Sequence, residues 1–141
     1  MSRGAAAAVA GLALLLTVGA PGMAASPGLS AEEFEAFTAG KTVHFTFEGL
    51  PYGSEQFLHG HRTLWHFEGE KTCGWGQWRE VEGLICFAYD NAPDEQCWKV
   101  TEADGKLRAK QSSGGTALGM TLEMSHADDI PLPCPAPSPG I

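Results

Sequence analysis

Residues 83–101 have the sequence GLICFAYDNAPDEQCWKVT, which is the most informative stretch of the chain about its fold. Two runs rich in aromatic and β-branched residues flank a segment of Asp, Asn and Pro, a pattern that predicts two antiparallel strands joined by a loop. In the register that places Ile85 opposite Trp98, the apolar side chains share one face, and Cys86 lies opposite Cys97 on the other face. Facing residues of such a pair have Cα atoms about 4.5 or 5.5 Å apart, and disulfides need about 4.4–6.8 Å. The register therefore predicts a Cys86–Cys97 disulfide.

The chain has four cysteines, and an even number in an exported protein is typical of a disulfide framework. Pairing Cys86 with Cys97 leaves Cys73 and Cys134 for a second bridge. A four-thiolate zinc site is the alternative, but its usual signature is a pair of CxxC motifs, which the sequence lacks. Cys134 lies in residues 130–141, a tail with five prolines that cannot join the interior of a sheet. The second disulfide is predicted to tether this tail.

A short helix is predicted over residues 31–38. Ser30 is suited to the N-cap position, and Glu33 three residues later completes a capping box. Phe34 and Phe37 are expected to face inward.

Beyond the helix, the hydrophobic period changes to two. Residues 42–48 alternate between apolar and polar side chains, which predicts a half-buried antiparallel strand. Turn signals such as Pro51-Tyr52-Gly53 separate the later runs. These predicted strands cover residues 55–58, 62–67, 75–81, 84–89, 97–102, 106–111 and 117–124. The expected fold is all-β: a curled antiparallel meander or small open barrel of about seven or eight strands, formed by a single domain over residues 25–129.

The N-terminus has the pattern of a secretory signal peptide. Arg3 is followed by an apolar run over residues 5–18, which is short for a membrane span, and then by small residues that fit cleavage after Ala24. An uncleaved anchor is the alternative. We therefore expect residues 1–24 to be a signal peptide, a periplasmic or secreted mature protein, and no membrane association after cleavage.

The chain is acidic. Its formal net charge is −8 over 141 residues. This balance argues against nucleic acid and anionic membrane surfaces as partners. It leaves an unknown small ligand or a protein as the expected partner.

Histidines are the candidate metal ligands. His44, His59, His61 and His66 could together bind zinc or copper. The competing interpretation is that His59-Gly60 forms a hairpin tip and that His66 faces solvent, in which case the imidazoles do not converge.

Four tryptophans are many for a small domain, and they could line a cavity for an apolar or planar ligand. The alternative is that they form the core. These candidates are Trp65, Trp75, Trp78 and Trp98.

No catalytic constellation is visible in the sequence, which has no G-x-S-x-G, no HExxH and no phosphate-binding loop. We therefore predict no enzyme and no cofactor. The leading hypothesis is an exported binding module of unknown ligand. The first alternative is an inhibitor of a periplasmic or extracellular enzyme such as a lysozyme or protease, and the second is the histidine-based metal binder.

Two stretches resemble a known family. Residues 76–89 (GQWREVEGLICFAY) and 97–100 (CWKV) are similar to the core signature of an uncharacterised family of small exported bacterial proteins, domain of unknown function number 995. Residues 29–33 and 40–43 are similar as well, so that the resemblance spans most of residues 29–108. The family brings no known activity, and the resemblance therefore implies no catalytic residue.

Overall fold

The structure is a computed structural model that describes residues 1, 4, 11, 13–19, 27–114 and 119–135. Most of the predicted signal peptide, including the predicted cleavage site after Ala24, lies outside these residues, and so do residues 136–141 of the predicted tail. In the part that is described, no helix has the length and apolar character needed to span a membrane.

The domain is an eight-stranded antiparallel barrel with one short helix. Helix α1 spans Ala31–Thr38, as predicted, and both hydrogen bonds of the capping box between Ser30 and Glu33 are present. Each strand pairs with the next along the chain, and the last pairs with the first. The strands are β1 (Thr42–Phe47), β2 (Leu50–Phe57), β3 (Arg62–Phe67), β4 (Cys73–Val81), β5 (Leu84–Tyr89), β6 (Gln96–Ala103), β7 (Lys106–Ser113) and β8 (Thr121–Asp128).

The structure confirms the predicted all-β fold with one short helix. The pairing of β1 with β8 closes the sheet into a barrel, which the sequence had left open. Closure gives every strand two partners and removes the unpaired edges that would otherwise promote aggregation. Apart from the register shifts, inward and outward side chains alternate along the strands, so one face of each strand contributes apolar side chains to the interior.

Helix α1 closes one end of the barrel. Phe34 is 2% exposed, and its ring packs edge-on against Trp78 at 4.9 Å and Phe57 at 5.4 Å between ring centroids. Phe37 packs against the core while partly exposed. The backbone of Gly40 donates to the carbonyl of Phe57, which fixes the end of the helix to the end of β2.

The start of β2 is where the sequence-based prediction was wrong. Pro51-Tyr52-Gly53 lies within the strand, because the turn comes earlier, at Glu48 and Gly49, which have φ values of 49° and 80°. Positive φ at both positions suits the tight turn that joins antiparallel strands. Pro51 is tolerated because β2 pairs with β3 only from Gly53 onward.

The end of the sheet also differs from the prediction. The last strand is Thr121–Asp128, four residues later than the predicted start and end.

Both disulfides join the predicted pairs. Ile85 faces Trp98 and Cys86 faces Cys97 in the β5–β6 register, with 4.0 Å between the two cysteine Cα atoms. The second bridge, Cys73–Cys134, spans 61 residues and attaches the C-terminal tail to the start of β4.

We predict that Trp78→Ala lowers the free energy of unfolding by about 3–5 kcal/mol, because it opens a cavity beneath Phe34. Trp75→Ala is the matched control: Trp75 lies on the outer face with the Arg62 guanidinium 5.6 Å from its ring centroid, and its loss should cost about 1 kcal/mol or less. Urea denaturation of both variants measures the difference. Equal losses would contradict the placement of Trp78 in the core.

We also predict that peptide mapping under non-reducing conditions recovers Cys86 linked to Cys97 and Cys73 linked to Cys134. A Cys73–Cys86 peptide would contradict the β5–β6 register.

Candidate functional site

The barrel encloses a cavity of about 470 Å³. Small-molecule sites commonly measure about 300–1,000 Å³ and are lined mainly by apolar and aromatic side chains. An eight-stranded barrel has an interior wide enough to hold one small ligand when its side chains do not fill it. The aromatic residues on the cavity wall include Phe45, Tyr52, Trp65, Phe87, Tyr89 and Trp98.

The cavity reaches the surface at the end opposite the helix. Its outer part is lined by exposed residues of the β3–β4 and β5–β6 connections, among them Glu70, Thr72, Asn91 and Asp94. Phe34 of helix α1 lines the inner end. A ligand would therefore enter between these two connections.

One carboxyl group lies deep in this apolar interior. Glu55, on β2, is 2% exposed, and the Tyr89 hydroxyl donates a 2.9 Å hydrogen bond to its Oε2 atom. Burial raises the pKa of Glu55 to about 8, although the nearby Thr63 hydroxyl and the hydrogen bond from Tyr89 lower it in part. The group is therefore mostly a neutral carboxylic acid at pH 7.

The hydrogen bond from Tyr89 indicates which oxygen of Glu55 carries the proton. Because Tyr89 donates to Oε2, the proton of Glu55 belongs on Oε1. Among the described residues, Oε1 makes no hydrogen bond, and neither does the buried Thr63 hydroxyl at ordinary hydrogen-bond geometry. Buried polar atoms are nearly always paired in proteins, so an unpaired donor on a cavity wall marks a position for a ligand acceptor.

Two glycines make room for the aromatic wall. Gly76 faces Tyr89 across the β4–β5 pair, and a Cβ atom there would lie 2.7 Å from the Tyr89 ring. At Gly53 a Cβ atom would lie 2.4 Å from the Trp65 ring. Any larger residue at either position would push these rings into the cavity.

The four tryptophans have different roles. Trp65 and Trp98 line the cavity, Trp78 belongs to the core beneath the helix, and Trp75 lies on the outer face. The sequence pointed to aromatic residues as a ligand surface, but it could not separate these positions. It missed Glu55 altogether, because nothing in the alternating pattern distinguishes one buried carboxylate among 17 acidic residues.

The four candidate histidines do not come together. His59 lies in the turn after β2, where Gly60 has a φ of 74°, and His61 stacks on Trp78 with ring centroids 3.8 Å apart. The His66 Nε2 atom lies 2.6 Å from the carbonyl oxygen of Glu70. Over residues 27–114 and 119–135, none of these three joins a group that could bind a metal.

His44 is different. It lies on the outer face of β1, beside His126 and Asp128 of β8, neither of which is among the metal ligands predicted from the sequence. The only signal that could have found them is the closing strand pair, which joins positions 82 residues apart in the sequence.

No protein-family model matches the chain, and comparisons with curated proteins and with solved structures find no match.

We predict that Glu55 makes the protein less stable as the pH rises. Between about pH 4.5 and 8 the unfolded chain has lost the Glu55 proton while the folded protein retains it, so deprotonation favours unfolding. At about 1.4 kcal/mol per pKa unit, the free energy of unfolding falls by up to about 5 kcal/mol over this pH range.

Denaturation at a series of pH values measures this effect as the difference between the wild-type protein and Glu55→Gln, which removes the titration. Glu68→Gln, at an exposed turn position, is the control and should retain the wild-type pH dependence. If Glu55→Gln also retains it, Glu55 is not buried as described.

Proposed function

We propose that the mature protein is an exported binding module that holds one small, mostly apolar molecule inside the barrel. The observation that carries this proposal is the combination of an aromatic cavity of about 470 Å³ with a single neutral carboxyl group at Glu55. Apolar walls supply most of the binding free energy, and one well-placed polar group fixes the orientation of the ligand.

The ligand should have a flat ring system and one hydrogen-bond acceptor. Flat rings suit a wall on which the rings of Phe87 and Tyr89 lie parallel, with their centroids 6.0 Å apart. The Glu55 Oε1 atom would donate to a carbonyl or a similar acceptor. A carboxylate ligand fits less well, because the cavity has acidic residues at its mouth, Glu70 and Asp94.

Exposed apolar side chains at the open end of the barrel are consistent with an apolar ligand. Phe67 at the end of β3 is 40% exposed, and Leu50 at the start of β2 is 70% exposed. Both lie at the open end of the barrel, where they could guide an apolar molecule toward the cavity.

Export is supported by two features. The first is the signal-peptide pattern of residues 1–24, and the second is the pair of disulfides, which persist in oxidising compartments.

The inhibitor hypothesis has less support. It needs a rigid exposed loop, for which residues 50–55 and 90–95 are the candidates in the sequence. Residues 50–55 lie within β2. Residues 90–95 form part of the cavity mouth, and Arg79 donates two hydrogen bonds of 2.9 and 2.8 Å to Glu95. Loss of lysozyme activity on addition of the protein would favour inhibition.

We predict that prodan, a flat naphthalene ketone, binds the mature protein with a blue shift in its emission. Ala109→Phe should abolish binding, because Ala109 is buried on the cavity wall and a phenyl ring would fill the space. Ala88→Phe, the same change at an exposed position on β5, should leave binding unchanged.

Energy transfer from tryptophan to prodan tests whether the dye lies in the cavity. The substitutions used change the cavity volume less than Ala109→Phe does. Trp65→Phe should reduce transfer, whereas Trp75→Phe on the outer face should reduce it less. Absence of saturable prodan binding to the folded protein would overturn the proposal, and so would equal binding by Ala109→Phe and Ala88→Phe.

A further inference from the structure

A second polar cluster lies on the outside of the barrel, where β8 pairs with β1. His44 faces His126 across the two strands, and their imidazole rings stack with centroids 4.2 Å apart. Asp128 follows two residues after His126 on the same face of β8. Its Oδ2 atom lies 2.8 Å from the Nε2 atom of His44 and 3.8 Å from that of His126.

Each of the two imidazoles is anchored through its Nδ1 atom to a serine hydroxyl. The His44 Nδ1 atom lies 2.7 Å from the Ser54 Oγ atom, and the His126 Nδ1 atom lies 3.0 Å from the Ser125 Oγ atom. Both Nε2 atoms therefore face the same carboxylate oxygen. Metal-binding histidines are held in this way in proteins, with the second ring nitrogen hydrogen-bonded to fix the tautomer and the ring orientation.

The hydrogen bonds around Ser125 determine the tautomer of His126. The Ser125 hydroxyl donates to the backbone carbonyl of His44 at 3.1 Å, so its oxygen is left to accept a proton from Nδ1 of His126. The neutral His126 ring then has its lone pair on Nε2, directed toward Asp128. At His44, Ser54 can accept the Nδ1 proton once Nε2 binds a metal.

The third ligand is held in place as well. The backbone N–H of Ile130 donates to the Oδ1 atom of Asp128 at 2.9 Å, which leaves Oδ2 facing the two rings. This hydrogen bond is the largest of the effects that lower the pKa of Asp128. The side chain of His126 is 62% exposed, and those of His44 and Asp128 are 27% and 28% exposed, so that an ion from solvent can reach the group.

We propose that His44, His126 and Asp128 form a binding site for a divalent transition-metal ion, with zinc as the ion that the donor set fits best. The three ligand atoms lie within 4.8 Å of one another. Zinc bonds of about 2.0–2.1 Å place tetrahedral ligand atoms about 3.3 Å apart, so metal binding requires the two stacked imidazoles to rotate toward a common point. The exposed fourth position can take water or a second molecule.

This site is independent of the proposed cavity function. Ser54 and Glu55 are consecutive on β2, and their side chains point to opposite faces of the sheet. The metal site therefore uses the outer face, and the ligand cavity uses the inner one.

His44 and Asp128 also form a chain of hydrogen bonds with Ser54, in the order Ser54–His44–Asp128. This hydrogen-bonded relay resembles the catalytic triad of serine hydrolases. Catalysis by this relay is disfavoured for two reasons. Ser54 is only 9% exposed, and its strand is paired on both sides, with His44 and His66 opposite Ser54. The backbone donors beside it are therefore used within the sheet and cannot stabilise an oxyanion.

Isothermal titration calorimetry of the untagged mature protein with ZnCl₂ tests the proposal. One equivalent should bind saturably, and His126→Ala and Asp128→Asn should each weaken binding at least about tenfold. His59→Ala removes an exposed histidine outside the cluster and should leave zinc affinity unchanged. Circular dichroism of each variant checks that the barrel is folded.

Cobalt gives a second measurement. Co²⁺ bound at the same three ligands should give the visible absorption bands of a four-coordinate ion, and zinc should displace it. Absence of saturable zinc binding would overturn the proposal, and so would an equal loss of affinity in His59→Ala, which would indicate nonspecific binding to surface histidines. Zinc-independent labelling of Ser54 by a fluorophosphonate would instead favour the hydrolase relay.

Discussion

The backbone pairing between β1 and β8 is the interaction on which the rest of the structure depends. It joins the first and last strands of the sheet and converts a meander into a closed barrel. On the inner side it encloses the space that contains Glu55. On the outer side it brings His44 of β1 opposite His126 of β8. Both candidate sites therefore depend on the same set of main-chain hydrogen bonds.

Alternation along a single strand then separates the two chemistries. On β2, Ser54 faces outward toward His44, while Glu55 faces inward toward Tyr89. A shift of one residue in the pairing of β2 would exchange these faces, because side chains alternate with a period of two. Such a shift would move Glu55 to the outer face of the sheet and Ser54 to the inner face among aromatic rings, so the register of β2 fixes both sites together.

The buried carboxyl group costs stability, and the disulfides offset this cost. Folding transfers Glu55 into an apolar interior, which disfavours its charged form and raises its pKa to about 8. A disulfide contributes roughly 2–4 kcal/mol in a small domain, more when it closes a longer loop. The bridge from Cys73 to Cys134 closes the longer of the two loops here. A strained or costly polar group retained in a stabilised scaffold is typical of a functional site.

Much of the local structure could be predicted from the sequence. The capping box at Ser30, the alternation of residues 42–48 and the facing cysteines of β5 and β6 each depend on neighbours close in the chain, so their patterns predicted the helix, the first strand and a disulfide. The tertiary structure alone decided that the sheet closes, that Glu55 lies inside it, and that His44 faces His126. These depend on which distant strands pair and on how the barrel curves, and a one-dimensional pattern does not contain that information.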